Sequence, residues 1–405
     1  MKVLVVGASV RALAQSVRAA GHEPVAVDYF GDRDLRETCE AYALGPDLGL
    51  PTRHAAFAVA AARLRARGVA WDAVAYTGSL ENAPHVVGRL ARTGALLGNP
   101  PAALRAVRNW PALASGLAGE GFRVPRSLPA GDRVPLRGRW LLKPLRGAGG
   151  AGIRFAEPGE AVPRGRIAQE YVPGTPASAL YLAGGGDAVL LAVTEQLAGR
   201  EALGAPGFAY AGNILLPRVS PSVEGELTRL VRWLARSSGL AGIGGVDLVL
   251  TADGPVPIEV NPRYTAAVEL LEQATGQSLF PAHLAALEGR LPASRPRWEG
   301  YFGKAVVYAT EDGVWRLDGD WAAAGLRDVP SGGAPVRRGH PVCTVLAAAG
   351  DRETCLTDLV RRVQAVRGEL IAPRALARSG PHLSPGRGGQ PGQGHGRVPG
   401  GDGDG

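Results

Sequence analysis

The sequence predicts a multidomain protein that combines an α/β domain with α+β and β-rich parts. Its 405 residues exceed what one hydrophobic core usually organises. Short apolar strands alternate with helical stretches at the start of the chain, whereas strands dominate from about 300 to 350. We therefore expect three domains and a Gly/Pro-rich disordered tail, at residues 1–95, 96–295, 296–370 and 371–405.

The first region has the rhythm of a parallel sheet. The segments "KVLVVG", "EPVAVDYF" and "WDAVAYTG" are strand candidates separated by helical stretches, which is typical of βαβ units. The first strand runs into "GASVRALAQS", and Asp28 follows at a suitable distance for a dinucleotide site. However, Ser9 and Ala12 stand where that fingerprint needs glycines. This favours a Rossmann-like domain that binds no dinucleotide.

Two helices stand out further along. "SVEGELTRLVRWLARSSG" is a long helix candidate in the mixed middle region. "RETCLTDLVRRVQAVRG" predicts an amphipathic helix that closes the folded part, with Leu356, Leu359, Val360 and Val363 on one face.

Composition excludes several classes of protein. No apolar run approaches the roughly 20 residues of a membrane helix, and the start does not resemble a signal peptide, so we expect a cytoplasmic protein without a membrane partner. Cys39, Cys343 and Cys355 form no CxxC pair, which indicates neither a disulfide framework nor a zinc site. The arginines are spread along the chain without aromatic interleaving, so we expect no nucleic-acid partner.

A lysine and a glycine-rich loop form the first candidate site. Of the 45 basic residues only Lys2, Lys143 and Lys304 are lysines. Lys143 precedes the glycines of "KPLRGAGGAGIRF", and a short β segment follows where a Rossmann loop would open a helix. Such a strand-loop-strand flap can lay backbone N–H groups over phosphates, with the lysine as a compact charge. The alternative is a flexible hairpin with an incidental lysine. The flap glycines are Gly147, Gly149, Gly150 and Gly152.

The segment "QEYV" follows the loop at short range. We expect Gln169 to Val172 to form a strand that leads into a linker, where backbone groups can pair with the edge of an adenine ring and Glu170 can accept from its amino group. Alone this segment would indicate only a strand.

The segment "GGVDLVLTADGPVPIEVNPR" predicts a β-hairpin with a turn at "ADG". This pairing places Asp247 opposite or nearly opposite Glu259. Alternation along a strand puts Glu259 and Asn261 on one face and directs Ile258 and Val260 to the core. Three oxygen donors of this kind suit Mg²⁺, although the same pattern also fits the solvent face of a hairpin.

Two polar groups flank these donors. Arg263 lies just past the strand end, where a fixed cation could hold a phosphate or a developing acyl phosphate. Glu81 and Asn82, in "YTGSLEN", follow a predicted strand and indicate either a substrate contact or a helix N-cap.

In this order the segments "KPLRGAGGAG", "QEYV", "GVDLVL" and "EVNPR" resemble the ATP-grasp superfamily of ligases. "GASVRALAQS", "YTGSLEN", "LLGNP" and "NPRYTAAVELLE" are similar to a branch of predicted ATP-dependent carboligases linked to one-carbon metabolism with methanofuran or methanopterin-type cofactors. The resemblance covers roughly residues 1 to 370. It implies a Rossmann-like N-terminal domain, an ATP-grasp fold and a β-rich C-terminal domain.

The resemblance also implies roles for individual residues. Lys143 would bind the α- and β-phosphates beneath the flap, and Glu170 and Val172 would contact adenine beside Gln169. The Mg²⁺ ligands would be Asp247, Glu259 and Asn261, with Mn²⁺ as an alternative metal.

Two positions depart from the pattern of the superfamily. The acidic ribose ligand of many members is replaced by Ala177. A second lysine in the helix before the flap is also missing, and we expect Arg108 rather than Arg105 to take its place.

We therefore expect an ATP- and Mg²⁺-dependent carboxylate-amine ligase that forms an acyl phosphate and then an amide, with small-molecule substrates and with Arg263 and Glu269 as its catalytic residues. The alternatives are a carboxylase that activates bicarbonate with Arg263 and Glu269, a nicotinamide oxidoreductase, and a non-catalytic ATP-binding module. A homodimer is a further possible partner arrangement.

Overall fold

The computed structural model describes residues 1–316, 321, 325–369 and 371–373. All of these described residues belong to one compact unit. The predicted tail lies outside the described residues except for 371–373. Among the described residues no helix is long and apolar enough to cross a membrane.

A five-stranded parallel sheet opens the chain, as the βαβ rhythm predicts. Its three central strands are almost entirely buried because helices cover both faces, whereas the two edge strands are partly exposed. The elements in chain order are β1 (Lys2–Val6), α1 (Arg11–Ala19), β2 (Glu23–Asp28), α2 (Arg33–Thr38), β3 (Glu40–Ala43), α3 (His54–Ala66), β4 (Ala73–Tyr76), a 3-10 turn (Leu80–Asn82), α4 (Pro84–Leu90) and β5 (Ala95–Leu97). The strand order β3-β2-β1-β4-β5 reverses between β1 and β4.

A small antiparallel sheet follows two helices. The helices are α5 (Pro101–Arg108) and α6 (Trp110–Gly119), and the strands are β6 (Ser127–Leu128), β7 (Trp140–Pro144), β8 (Arg154–Phe155) and β9 (Arg166–Glu170). The sheet order is β6-β9-β7-β8. The glycine-rich loop joins the paired strands β7 and β8, which confirms the predicted strand-loop-strand arrangement.

A large antiparallel sheet carries the rest of the fold. Its first part consists of β10 (Thr175–Gly184), β11 (Asp187–Ala198), a 3-10 turn (Glu201–Leu203), β12 (Tyr210–Leu216), α7 (Pro221–Ser238), β13 (Gly242–Thr251), β14 (Gly254–Asn261), α8 (Val268–Thr275) and α9 (Phe280–Leu287). Helix α7 confirms the long helix predicted for this region. Ser220 caps its start by accepting a hydrogen bond from the Val223 backbone N–H, and Gly239 ends it in the left-handed conformation.

The C-terminal part is β-rich, as expected, and it extends the same sheet. It contains β15 (Tyr301–Tyr308), β16 (Gly313–Trp315), β17 (Leu326–Arg327), β18 (Pro335–Val336), β19 (Pro341–Ala349), α10 (Arg352–Glu369) and β20 (Ile371–Pro373). The large sheet has the order β14-β13-β10-β11-β12-β15-β19-β17, and β18-β16-β20 form a smaller one. Helix α10 buries Leu359 and Val363 and partly buries Leu356 and Val360, on the predicted face.

Candidate functional site

A cavity of about 430 Å³ lies between the small sheet and the large sheet. We call it the first cavity. Most of the residues that the sequence singles out line it, although they come from four separate segments. These residues are Lys143, Gly147, Gly149, Gly150, Gln169, Glu170, Val172, Asp247, Glu259, Asn261 and Arg263. Gly152, Arg108 and Glu269 are not among its lining residues.

The glycine-rich loop forms one wall of the first cavity. Gly149, Gly150 and Gly152 adopt positive φ angles of 60°, 75° and 73°. A Cβ atom on Gly150 would overlap the carbonyl oxygen of Phe208, so the loop can pack there only as glycine. The loop is also tied to the N-terminal domain, since Asn82 Nδ2 donates to the Gly147 carbonyl at 3.1 Å.

Lys143 lies at the end of β7 and faces the hairpin β13–β14. Its Nζ donates to Gln169 Oε1 at 2.9 Å and to the Ile258 carbonyl at 3.3 Å. Burial lowers the pKa of Lys143, although the carboxylates of Glu259 and Asp247 oppose this shift. The ammonium group is therefore held at the junction of the two sheets, beside the glycine loop.

The two hairpin carboxylates lie opposite each other. Asp247 pairs with Glu259 in the register of β13 and β14, as predicted. Asp247 Oδ2 accepts from Asn261 Nδ2 at 3.0 Å, and Oδ1 accepts from Gln196 Nε2 at 2.8 Å. Burial raises the pKa of Asp247 to about 6, and the nearby charge of Glu259 adds to this. The electrostatics of this pair therefore favour a cation. Gln196 lies on β11 outside every sequence motif.

The predicted position of Ile258 is wrong. Ile258 lines the first cavity together with Glu259, whereas strict alternation would have turned it to the core. A β-bulge explains the difference, because the register shifts between Asp247 and Leu248 and leaves Ile258 as an extra residue on β14. Val260 is buried as expected. The connecting turn is also one residue shorter than expected, since Thr251 pairs directly with Gly254.

Arg108 reaches the hairpin from α5. Its guanidinium forms an ion pair with Glu259 and donates to Asn82 Oδ1 at 2.6 Å. The side chain thus contacts Glu259, a predicted metal ligand, but does not line the first cavity. Arg105, the alternative in the same helix, is exposed.

Arg263 joins the hairpin to the N-terminal domain. Its Nη2 donates to Glu81 Oε1 at 3.0 Å and to Asn261 Oδ1 at 2.9 Å. Burial alone would raise the pKa of Glu81, but the charge and hydrogen bond of Arg263 outweigh it and lower this pKa. Glu81 lines the first cavity, and neither Glu81 nor Asn82 caps a helix through its side chain. Their contacts agree with the alternative that places them at the site.

The predicted adenine segment lies at the far end of the first cavity. Strand β9 ends at Glu170, and Glu170, Tyr171 and Val172 line the cavity. The carboxylate of Glu170 accepts two hydrogen bonds from Arg126, at 3.0 and 3.2 Å. Ala177, where many superfamily members have a ribose ligand, is completely buried in β10.

Glu269 does not line the first cavity, in contrast to Arg263, the other predicted catalytic residue. It is 6% exposed, and its two oxygens accept from Arg11 Nη1 and Lys304 Nζ, each at 2.5 Å. Burial alone would raise the pKa of Glu269, but the two cations outweigh it and lower this pKa. Both oxygens are thus engaged in buried ion pairs. Arg11 had no sequence signal, whereas Lys304 could have been noticed as one of the few lysines.

A second cavity, of about 340 Å³, adjoins the first. It is bounded by the N-terminal domain, the loop after β14 and the C-terminal strands. The residues that line both cavities are Ala148, Gly149, Tyr210, Arg263, Thr265 and Ala266.

Residues 110–267 match the family model described as an ATP-grasp domain. The chain contains an ATP-grasp domain. The match covers the small sheet, most of the large sheet and every residue that lines the first cavity except Glu81. The assignment to the one-carbon carboligase branch stays a prediction.

One curated relative is an uncharacterized protein of Methanocaldococcus jannaschii. It is 22% identical over 264 residues, which cover 62% of this chain and 63% of that protein. The chain therefore spans about 63% of the length of the curated relative that it matches.

Solved structures of other proteins share the fold. The L-amino acid ligase of Bacillus licheniformis is 16% identical, with a TM-score of 0.69 over 92% of this chain and 99% of that chain. N5-carboxyaminoimidazole ribonucleotide synthetase of Thermus thermophilus is 19% identical, with a TM-score of 0.64 over 91% and 99%. The biotin carboxylase domain of Hydrogenobacter thermophilus 2-oxoglutarate carboxylase, solved with MgADP and bicarbonate, is 17% identical, with a TM-score of 0.67 over 92% and 90%.

Proposed function

We propose that this protein is an ATP- and Mg²⁺-dependent ligase that activates a substrate carboxylate as an acyl phosphate and transfers the acyl group to an amine. One observation carries the proposal. The half-buried carboxylates of Asp247 and Glu259 face Lys143 and the glycine loop across one cavity, so groups that bind a metal and groups that bind phosphates meet there.

The nucleotide would lie along the length of the first cavity. Backbone N–H groups of the loop from Gly147 to Gly152 and the ammonium of Lys143 would hold the phosphates, since both are suited to anions. The backbone between Glu170 and Val172 would bind the adenine edge at the opposite end. Ser178 and Gln196 are further polar lining residues, beside Asp247, and we assign the ribose hydroxyls to them.

The residues present fit a magnesium ion. Asp247 and Glu259 supply two carboxylates and Asn261 an amide oxygen, and the raised pKa of Asp247 reflects a cost that a bound cation would relieve. Among the described residues no group of three His, Cys, Asp or Glu side chains could hold a metal. A site with two carboxylates is nevertheless suited to Mg²⁺, which completes its octahedron with phosphate oxygens and water. When bound, the ion would neutralise charge on the phosphates.

The reaction balances without a protein nucleophile. A carboxylate oxygen of the substrate attacks the γ-phosphorus of ATP, and the bond between that phosphorus and the oxygen of ADP breaks. The amine nitrogen then attacks the acyl carbon, phosphate leaves with the bonding electrons, and the nitrogen gives up a proton to it. Arg263 lines the first cavity, and its ion pair with Glu81 fixes the guanidinium in place. A fixed guanidinium there can stabilise the acyl phosphate.

A screen of carboxylates and amines for ADP release tests this proposal. We expect at least one pair to release ADP and phosphate in equal amounts and to form the amide. Lys143→Ala should abolish the release, whereas Lys2→Ala, at the start of β1 where the lysine pairs with Glu23, should leave it unchanged. Release that requires bicarbonate instead of an amine would indicate a carboxylase. ATP binding without release in any pair would indicate a non-catalytic module and contradict the proposal.

A further inference from the structure

The second cavity lies where parallel sheets commonly bind ligands. Its lining includes Ser9 after β1, Asp32 after β2 and Ser79 after β4, so it opens at the carboxyl ends of these strands. The strand order reverses between β1 and β4, and ligands of open α/β sheets bind at such a switch point. Ser79 also has a φ angle of 81°, an unfavourable conformation that is often retained at functional sites.

Carboxylates surround the cations that line this cavity. The positive charges come from Arg11, Lys304 and Arg263, each of which pairs with carboxylates. The carboxylates that face one another or these cations belong to Asp28, Asp32, Asp34, Glu81, Glu269 and Asp328. Two of these carboxylates, Asp32 and Asp328, line the cavity itself. Because the three cations are already paired, Asp32 leaves a local imbalance that a cationic ligand would reduce.

Asp32 is the carboxylate that this imbalance leaves without a partner. Its side chain is 5% exposed, lines the second cavity and forms no hydrogen bond or ion pair with any described residue. In contrast, Asp34 accepts from the backbone N–H groups of Asp328 and Val329, and Asp328 pairs with Arg11. Burial raises the pKa of Asp32, and the charge of Asp328 adds to this. A buried carboxylate without a partner is costly unless a ligand supplies the missing charge.

The surroundings select an organic cation over a metal ion. Asp32 is the one carboxylate of the cavity lining without a partner among the described residues, and a metal site needs several oxygen ligands. Much of the cavity wall is apolar and consists of Leu13, Val306, Val342 and the ring of Phe30, which is 52% exposed. Such walls can cover a carbon skeleton while a carboxylate holds its charged end.

The geometry points to the second cavity as the site of the amine substrate, bound as an organic ammonium ion opposite Asp32. This inference rests on the proposed ligase function and names the chemical class of its second substrate. The two cavities meet at Arg263 and Thr265, and the buried Thr265 Oγ has no hydrogen-bond partner among the described residues. The bound ammonium ion passes one proton to the Asp32 carboxylate, and the neutral amine that results has a route to an acyl group formed beside Arg263.

Binding of simple probe ions to the full chain tests this inference without turnover. Isothermal titration calorimetry would compare n-butylammonium with the neutral 1-butanol and the anionic butyrate. We expect n-butylammonium to bind at least about tenfold more tightly than either. Asp32→Asn should weaken n-butylammonium binding by about tenfold or more, Asp32→Glu should retain most of it, and the exposed control Asp187→Asn should match the wild type.

Wild-type affinity in Asp32→Asn, or equal binding of butyrate, would overturn the inference. ATP affinity, measured on the same variants, should be unchanged and serves as the test of folding. If Asp32→Asn does not fold, the comparison of the three probes on the wild-type protein and the Asp32→Glu variant decides the matter. A protein that binds n-butylammonium but never releases ADP keeps this site and loses the ligase function. Release that is unaffected by Asp32→Asn would remove only this site.

Discussion

The two cavities share a wall but differ in how their charges are balanced. In the first cavity Asp247 is bonded to Asn261, Glu259 to Arg108 and Glu81 to Arg263. In the second cavity Arg11 and Lys304 are already paired, and Asp32 has no partner among the described residues. We interpret the first cavity as preorganised for a metal and phosphates, and the second as a site whose free carboxylate can bind a cation.

A buried cluster of ion pairs lies beside the second cavity. Glu269 of α8 links Arg11 of α1 to Lys304 of β15, so one side chain connects the N-terminal domain to the C-terminal strands. We interpret Glu269 as a positioning residue for the second cavity, because both of its oxygens are engaged.

The largest expected effect is therefore on stability. Glu269→Gln leaves two buried cations with a neutral partner, and we expect the free energy of unfolding to fall by about 3–5 kcal/mol. Urea denaturation followed by circular dichroism would measure the change. Glu160→Gln, which removes an exposed pair with Arg154, should have a much smaller effect. Equal effects of the two variants would show that the cluster does not hold the domains together.

The next effect concerns the first cavity alone. Glu259→Gln and Asn261→Asp should each lower turnover by about 100-fold or more, because each alters the charge or the donor set that we assign to the metal. ADP release with a productive substrate pair would measure it, and Glu299→Gln, at an exposed position, is the matched control. The binding of n-butylammonium should not change. Full activity in both variants would show that the metal site has been assigned to the wrong residues.

A smaller effect on the free energy of unfolding concerns Asp28, one of the carboxylates around the second cavity. Burial raises the pKa of Asp28 from 3.8 to about 6, so its contribution to stability is present below about pH 4 and is lost as the pH rises through 6. Asp28 Oδ1 accepts from the Phe30 and Gly31 backbone N–H groups, and asparagine can retain these bonds. Asp28→Asn should therefore raise the free energy of unfolding by about 1–3 kcal/mol at pH 7.5.

The same variant should have little effect on the free energy of unfolding at pH 4, because the wild-type carboxyl is then largely protonated. Urea denaturation at both pH values checks this. A stabilisation of equal size at pH 4 would attribute the effect to packing rather than to charge.

The sequence predicted much of the fold and of the first cavity because the relevant signals are local. Apolar periodicity located the parallel sheet, α7 and α10, and alternation along a hairpin placed Asp247 opposite Glu259. Ile258 was misplaced because a bulge, which has no clear sequence signal, breaks that alternation.

The second cavity could not be predicted in this way. Its charged residues Arg11, Asp32, Lys304 and Asp328 come from four distant segments, and only the tertiary fold brings them together. The pairing of β12 with β15, which carries Lys304 to the site, is likewise a long-range contact without a local pattern. Gln196 was missed for a similar reason, since it reaches Asp247 across a sheet from a strand without a motif.

The most direct test of the central claim follows the oxygen atoms of the substrate. A productive carboxylate labelled with ¹⁸O would be incubated with the enzyme, ATP, Mg²⁺ and the amine, and the released phosphate would be examined by ³¹P NMR. Activation as an acyl phosphate predicts that one ¹⁸O atom passes from each carboxylate to the phosphate as the amide forms. Amide formation with unlabelled phosphate would contradict the account.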